Sequence, residues 1–248
     1  MKKIWYSAKG KPYPENEPAY YDVDHFPKLQ EIEKRWPEIK PELESFIKEK
    51  DRNFEANAYQ GIKIEGAWNS LTFMFWGFYM ASELYKKCPV LASHLKQVEG
   101  LVSLSFSRLA PHSSIARHRG DTNASIRCHI GIEVPAGLPA CGIKVNETEK
   151  GWEEGKWTLF NDACIHSAWN HSDKRRVVLI MDIICPEFLK KKNSVCAHII
   201  AYLLISNKLS NAVTLKYFSF FYKNILFPPV YLSMLAYRPF RNLTRRMF

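Results

Sequence analysis

Near residue 101 the spacing of apolar residues changes from helical to alternating, and that switch divides the chain. Upstream, Leu29, Ile32 and Trp36 fall on one helical face, and Leu43, Phe46 and Ile47 continue it. Pro37 and Pro41 interrupt the pattern, so residues 28–50 read as two short helices rather than one. Residues 68–78 (WNSLTFMFWGF) read as a buried aromatic strand, and 80–98 as helix around Leu84, Leu91 and Leu95. From 101 onward LVSLSFSRL and IRCHIGIEV alternate, and IKV, WTLFN and RVVLIMDII are short β-branched or aromatic runs. Pro, Gly, Asn and Asp fill the gaps. Five or more short strands at this spacing predict an antiparallel sandwich or barrel, with the preceding helices covering one face.

Charge is uneven along the chain. Residues 187–248 hold ten Lys/Arg against one acid, Glu187, for +9, and residues 1–186 carry the remaining +1. An anionic partner should therefore meet the tail. Its greasy runs, 195–205 and 225–237, are shorter than the roughly 20 residues of a spanning helix. They suit either packing on the body or a membrane interface. Lysines interleaved with long aliphatic runs suit lipid better than a nucleic-acid phosphate groove.

The start, MKKIWYSAKGKPYPENEP, has basic residues but lacks the roughly 7–15-residue apolar core of a secretory leader. The expectation is a cytoplasmic protein, peripheral at the inner membrane face. The cysteines at 88, 128, 141, 164, 185 and 196 are then reduced thiols. None forms C-x-x-C, so a structural zinc site is poorly supported.

Three histidines, His118, His129 and His166, lie in strand-like context. A lone histidine is more often structural than a ligand, so the argument rests on neighbours. Arg127 and His129 sit two apart and share one strand face, while Ile126, Cys128 and Ile130 point to the other. Polar groups facing inward need a partner, which a bound dicarboxylate and a metal would supply. Arg176 opens an apolar strand, where a guanidinium is costly unless it meets a carboxylate. Arg175 fits the surface alternative better. Two imidazoles on strands suit Fe(II) with positions left open. The usual triad adds a carboxylate two residues after the first histidine. Here that residue is Gly120, and Asp121 comes one position late.

The stretch 101–188 resembles the aspartyl/asparaginyl β-hydroxylase family of Fe(II)- and 2-oxoglutarate-dependent dioxygenases, which includes related lipid A and ornithine lipid 2-hydroxylases. The resemblance runs through HRGDTNASIRCHIGI (118–132), NETEKGWEEGK (146–156), FNDACIHSAWN (160–170) and RRVVLIMD (175–182). It implies a double-stranded β-helix, a cupin-like jelly roll, within an all-β core with flanking helices. The implied dioxygenase domain spans 1–186, with a helical part to about 98 and a core at about 99–186. A basic amphipathic extension covers 187–248.

The resemblance also implies roles. His118 and His166 match the catalytic iron ligands, and members with Gly at the third position leave it to water. Arg127 and His129 match residues near the chelating end of 2-oxoglutarate. Arg176 matches the arginine on its distal carboxylate, and Ser107 matches a strand serine beside it. Asn123 and Trp169 fit the motif as support, and Asp121 is a departure close to the metal. The implied reaction consumes O2 and hydroxylates an unactivated C–H. Its motifs point first to the β-carbon of an Asp or Asn side chain in a peptide. The alternative is the 2-position of a lipid-linked acyl chain, which the basic tail and the stretch at 24–39 favour. A non-catalytic ligand- or membrane-binding module is the reading from a different class.

Overall fold

The structure is a computed structural model that describes residues 2–9, 11–14, 17–56, 62–209 and 226–244. Parts of the N-terminal stretch before residue 28 and of the basic tail, the latter at 210–225 and 245–248, lie outside the described residues.

Two antiparallel sheets face each other. The strands are β1 (Tyr20–Tyr21), β2 (Glu55–Ala56), β3 (Ile64–Glu65), β4 (Trp68–Phe75), β5 (Phe78–Tyr79), β6 (Leu101–Leu109), β7 (Ser113–His118), β8 (Ser125–Glu133), β9 (Cys141–Val145), β10 (Thr148–Lys150), β11 (Trp157–Phe160), β12 (His166–Asn170) and β13 (Arg176–Ile184). The larger sheet has the order β1-β11-β8-β13-β6-β4-β2, with β5 on β4, and the smaller has the order β10-β9-β12-β7-β3. From β6 to β13 the chain passes back and forth between the sheets, which makes β6–β13 a jelly roll. The sheets do not close into a barrel.

Period-two alternation sorts the side chains of the large sheet. Val102, Leu104 and Phe106 of β6, Ile126, Cys128 and Ile130 of β8, and Val177, Leu179 and Met181 of β13 join the core under the helices. Leu109 and Val178 join a second core between the sheets, with Ile115, Ile143, Val145 and Phe160. Both faces of the large sheet are therefore covered, which explains the nearly continuous burial of β8 and β13.

The covering helices are α1 (Pro27–Lys34), α2 (Trp36–Glu49), α3 (Glu83–Lys87) and α4 (Pro89–Leu95). The expected break in 28–50 falls at Arg35. Pro37 lies in the first turn of α2, where a missing N–H costs little, and Pro41 is carried inside the helix. The α2 side chain Phe46 meets Phe73 and Phe106, with ring centroids 5.8 and 6.0 Å away. Fully burying one such ring stabilises by about 1.5–3 kcal/mol.

Two tail helices follow, α5 (Lys192–Leu209) and α6 (Phe227–Thr244). They pack on each other and on the body. Val195, Cys196, Ile199 and Ile200 of α5 enter the helix-side core. No helix among the described residues is long and apolar enough to cross a membrane.

Candidate functional site

The site lies between the sheets, and backbone register builds it. His118 ends β7 and His166 starts β12, and the two stand directly opposite as paired residues. Their ring centroids are 4.1 Å apart. Each ring places Nδ1 against a carbonyl two residues back in its own chain, 2.9 Å from Ala116 O and 2.9 Å from Cys164 O. That contact fixes the proton on Nδ1 and leaves Nε2 as a lone pair, the form that ligates a metal. Burial holds the pKa of His118 below the usual imidazole range and that of His166 well below it, so both stay neutral.

The third corner is filled in an unusual way. A Cβ built on Gly120 would lie 1.6 Å from Asp162 Oδ2. The buried Asp162 carboxylate therefore stands where a side chain at 120 would begin. Its Oδ1 is 3.4 Å from His166 Nε2 and 2.6 Å from Arg127 Nη1. A carboxylate beside an imidazole lone pair is an arrangement that a cation stabilises. No group of three or more His, Cys, Asp or Glu side chains among the described residues forms a complete metal-ligand set. The donors fit an ion held by two imidazoles with further positions open.

Arg127 was expected to face a co-substrate. It is held instead by two buried carboxylates: Nε and Nη2 donate to Asp182 Oδ1 and Oδ2 at 2.8 and 3.0 Å, and Nη1 reaches Asp162. Arg127 and Asp182 are paired residues on adjacent strands, so the bidentate contact follows from register.

Arg176 is 1% exposed and has no carboxylate within ion-pair distance among the described residues. Its guanidinium carbon lies 4.5 Å from the centre of the Trp152 ring, and Nη1 donates to Ser107 O at 3.4 Å. Burial lowers its pKa to about 10. His129 stacks on the same indole, centroids 6.1 Å apart at 19°. Four buried nitrogens here lack a hydrogen-bond partner: both of His129, Trp152 Nε1 and Arg176 Nε. Orphaned buried polar groups are costly, and a bound carboxylate would satisfy the donors among them. Burial pushes the His129 pKa well down, so this cradle carries its positive charge on Arg176. Ser107 Oγ, beside it, accepts from Trp68 Nε1 at 2.9 Å.

Phe160 joins the two halves. Its ring lies 5.3 Å from His166 and 5.0 Å from His129, so the imidazole pair and the arginine cradle form one line between the sheets. All six residues singled out as candidates meet along it. Asp162, Asp182 and Trp152 were not assigned roles from sequence. Asp162 and Trp152 lie inside the motifs FNDACIH and GWEEGK, but Arg127 and Arg176, which they meet, lie on β8 and β13.

The supporting residues fall nearby. Asn123 Oδ1 accepts from Trp5 N at 2.8 Å and pins the N-terminal arm over the loop after His118. Asp121 accepts from Trp76 Nε1 at 3.2 Å, and burial raises its pKa to about 7. Trp76 itself sits at φ +43°, an uncommon conformation for a bulky residue. Trp169 is remote from this chemistry, its indole N–H donating to Pro139 O at 2.8 Å.

The profile of the family described as Aspartyl/Asparaginyl beta-hydroxylase matches residues 33–186. An ornithine lipid ester-linked acyl 2-hydroxylase of Rhizobium tropici is 37% identical over 175 residues, 68% of this chain and 61% of that protein. The aspartyl/asparaginyl beta-hydroxylase of Homo sapiens is 32% identical over 84 residues, 34% of this chain and 11% of that protein. The chain thus spans under two thirds of the length of these relatives. Among solved structures, HygX from Streptomyces hygroscopicus with nickel and 2-oxoglutarate bound matches with a TM-score of 0.42 and 11% identity, covering 59% of this chain and 79% of that one. On the profile match, which takes in both histidines, Arg127 and Arg176, the chain belongs to the aspartyl/asparaginyl beta-hydroxylase family.

Proposed function

We propose that the protein is an Fe(II)- and 2-oxoglutarate-dependent dioxygenase that hydroxylates the 2-position of a lipid-linked acyl chain. The observation that carries the dioxygenase reading is the His118–His166 pair, with both Nδ1 protons tied to backbone carbonyls, in line with an arginine cradle of unpartnered donors. His118 and His166 would hold the iron. Arg176, with His129 and Ser107 beside it, would hold 2-oxoglutarate. When bound, iron with 2-oxoglutarate and O2 supplies the oxidising power to functionalise a C–H bond.

The chain's own residues supply placement. Arg176, nearly fully buried between the sheets, offers a planar fork to the distal carboxylate. Trp152 fixes that fork by its ring face. Arg127 holds Asp162 beside the metal position and is itself fixed by Asp182. The neutral imidazoles need shed no proton to ligate.

The substrate assignment departs from the first expectation of a peptide Asp or Asn. It is favoured by the extent of the likeness to the Rhizobium lipid enzyme, twice the share of this chain that the human enzyme matches. The +9 tail also suits a substrate at an anionic surface. The peptide reading keeps support from the human match. Succinate release from purified protein, iron and 2-oxoglutarate should rise with ornithine-lipid extract and not with Asp-containing peptides. Mass spectrometry of the lipid should show one added oxygen. Stimulation by peptide alone would reverse the assignment, and no 2-oxoglutarate turnover with either would end the dioxygenase reading.

A further inference from the structure

Four of the five large hydrophobic side chains exposed among the described residues gather around α5 and α6. Leu204 is 44% exposed, Leu232 61% and Tyr237 50%; Met80, 47% exposed, directly follows β5, which packs on α6. Over residues 227–237 of α6 the exposed positions are Pro228, Pro229, Leu232, Ser233, Ala236 and Tyr237. They recur four apart and form one face, and none is charged. The other side is partnered, with Tyr231 bonded to Ser194 of α5 and Met234 packed on the core. A surface helix normally turns charge to water. An uncharged outer face of this length marks a surface that something covers.

Charge indicates what covers it. Residues 187–248 carry +9 with one acid, and the rest of the chain carries +1. A second copy would set +9 against +9. An anionic bilayer offers apolar depth to Leu232 and Tyr237 and phosphate to the lysines and arginines that the tail's sequence carries. No described helix is long and apolar enough to span, so α6 would lie flat. The helix pair also rests on the site loop. His198 of α5 stacks on Tyr6, centroids 3.9 Å apart, and Tyr6 bridges to Thr122, four residues after His118.

We propose that the uncharged face at 228–237 of α6, with Leu204 and Met80, is a docking surface for an anionic lipid bilayer, on which the protein lies peripherally. The proposal deepens the acyl-chain reading and rests on it for the benefit of docking, though its test needs no turnover. Full-length protein is floated with vesicles of phosphatidylcholine alone or phosphatidylcholine with phosphatidylglycerol. Wild type should bind the anionic vesicles, and less so at high salt. Leu232→Glu should lower partitioning about tenfold, equivalent to about 1.4 kcal/mol. Leu138→Glu, which alters the exposed leucine elsewhere, should bind as wild type, and all three proteins should retain 2-oxoglutarate affinity. Failure of wild type to float, or equal binding by Leu232→Glu, overturns the proposal. So does a wild-type dimer in light scattering that Leu232→Glu dissociates, because a second copy then covers the face. Vesicle binding without lipid hydroxylation would instead sink the substrate reading and leave the docking surface standing.

Discussion

Gly120 and Asp162 compete for one volume: any Cβ at 120 would fall 1.6 Å from the Asp162 carboxylate. Gly120→Ala should therefore displace Asp162 and lower both Tm and Fe(II) affinity, the latter by about tenfold or more. Adding Asp162→Ala should recover part of the lost Tm, because it vacates the contested space. A cycle of thermal melts and iron titrations on the two single variants and the double variant checks this. Strict additivity would mean the two residues do not share that space.

Arg176 and Trp152 should act together on 2-oxoglutarate. Arg176→Lys keeps the charge but loses the fork, and its affinity for 2-oxoglutarate should fall by about tenfold or more. Trp152→Leu removes the ring under the guanidinium and should weaken binding less, by about threefold to tenfold. Iron binding should be little changed in both. Isothermal titration of each ligand separates these effects, and wild-type 2-oxoglutarate affinity in Arg176→Lys would refute the assigned role.

Asp182 matters for stability because it holds Arg127 inside the protein. Asp182→Ala leaves a buried guanidinium short of a counterion and should cost about 3–5 kcal/mol. Arg127→Ala should be similarly severe, and the double variant should lose much less than the sum. Urea denaturation of the apoprotein measures all three.

Asp121 should make stability depend on pH. Burial raises its folded pKa from 3.8 to about 7, so the folded state holds its proton more tightly than the unfolded state. The resulting stabilisation is full below pH 3.8 and is lost as pH rises through about 7. Asp121→Asn keeps an acceptor for Trp76 and cannot ionise. It should match wild type at the acid end of this window and exceed its Tm above it. Apoprotein melts across that range check the sign.

Much of the architecture is legible in the primary structure because alternation reports directly on burial. LVSLSFSRL and RVVLIMDII place residues alternately under the helices and between the sheets, and they form β6 and β13. β7 and β12 escape that reading: SSIARH and HSAWN carry few apolar residues, since much of their inner face is chemical rather than hydrophobic. Their histidines stand out by strand-like context, and the motif resemblance assigns both as iron ligands.

The chain's residue order determined which groups exist for the proposed iron and 2-oxoglutarate, and how its charge is distributed. Only the tertiary structure decided their partners. Register across β8 and β13 commits Arg127 to Asp182. Packing of the turn between β11 and β12 brings Asp162 into the space beside Gly120. Folding of the tail onto the body leaves an uncharged face at 228–237 of α6 exposed. The physical reason is range. Alternation and turn chemistry act over a few residues, whereas contacts such as Arg127–Asp182, 55 positions apart, depend on how strands pair.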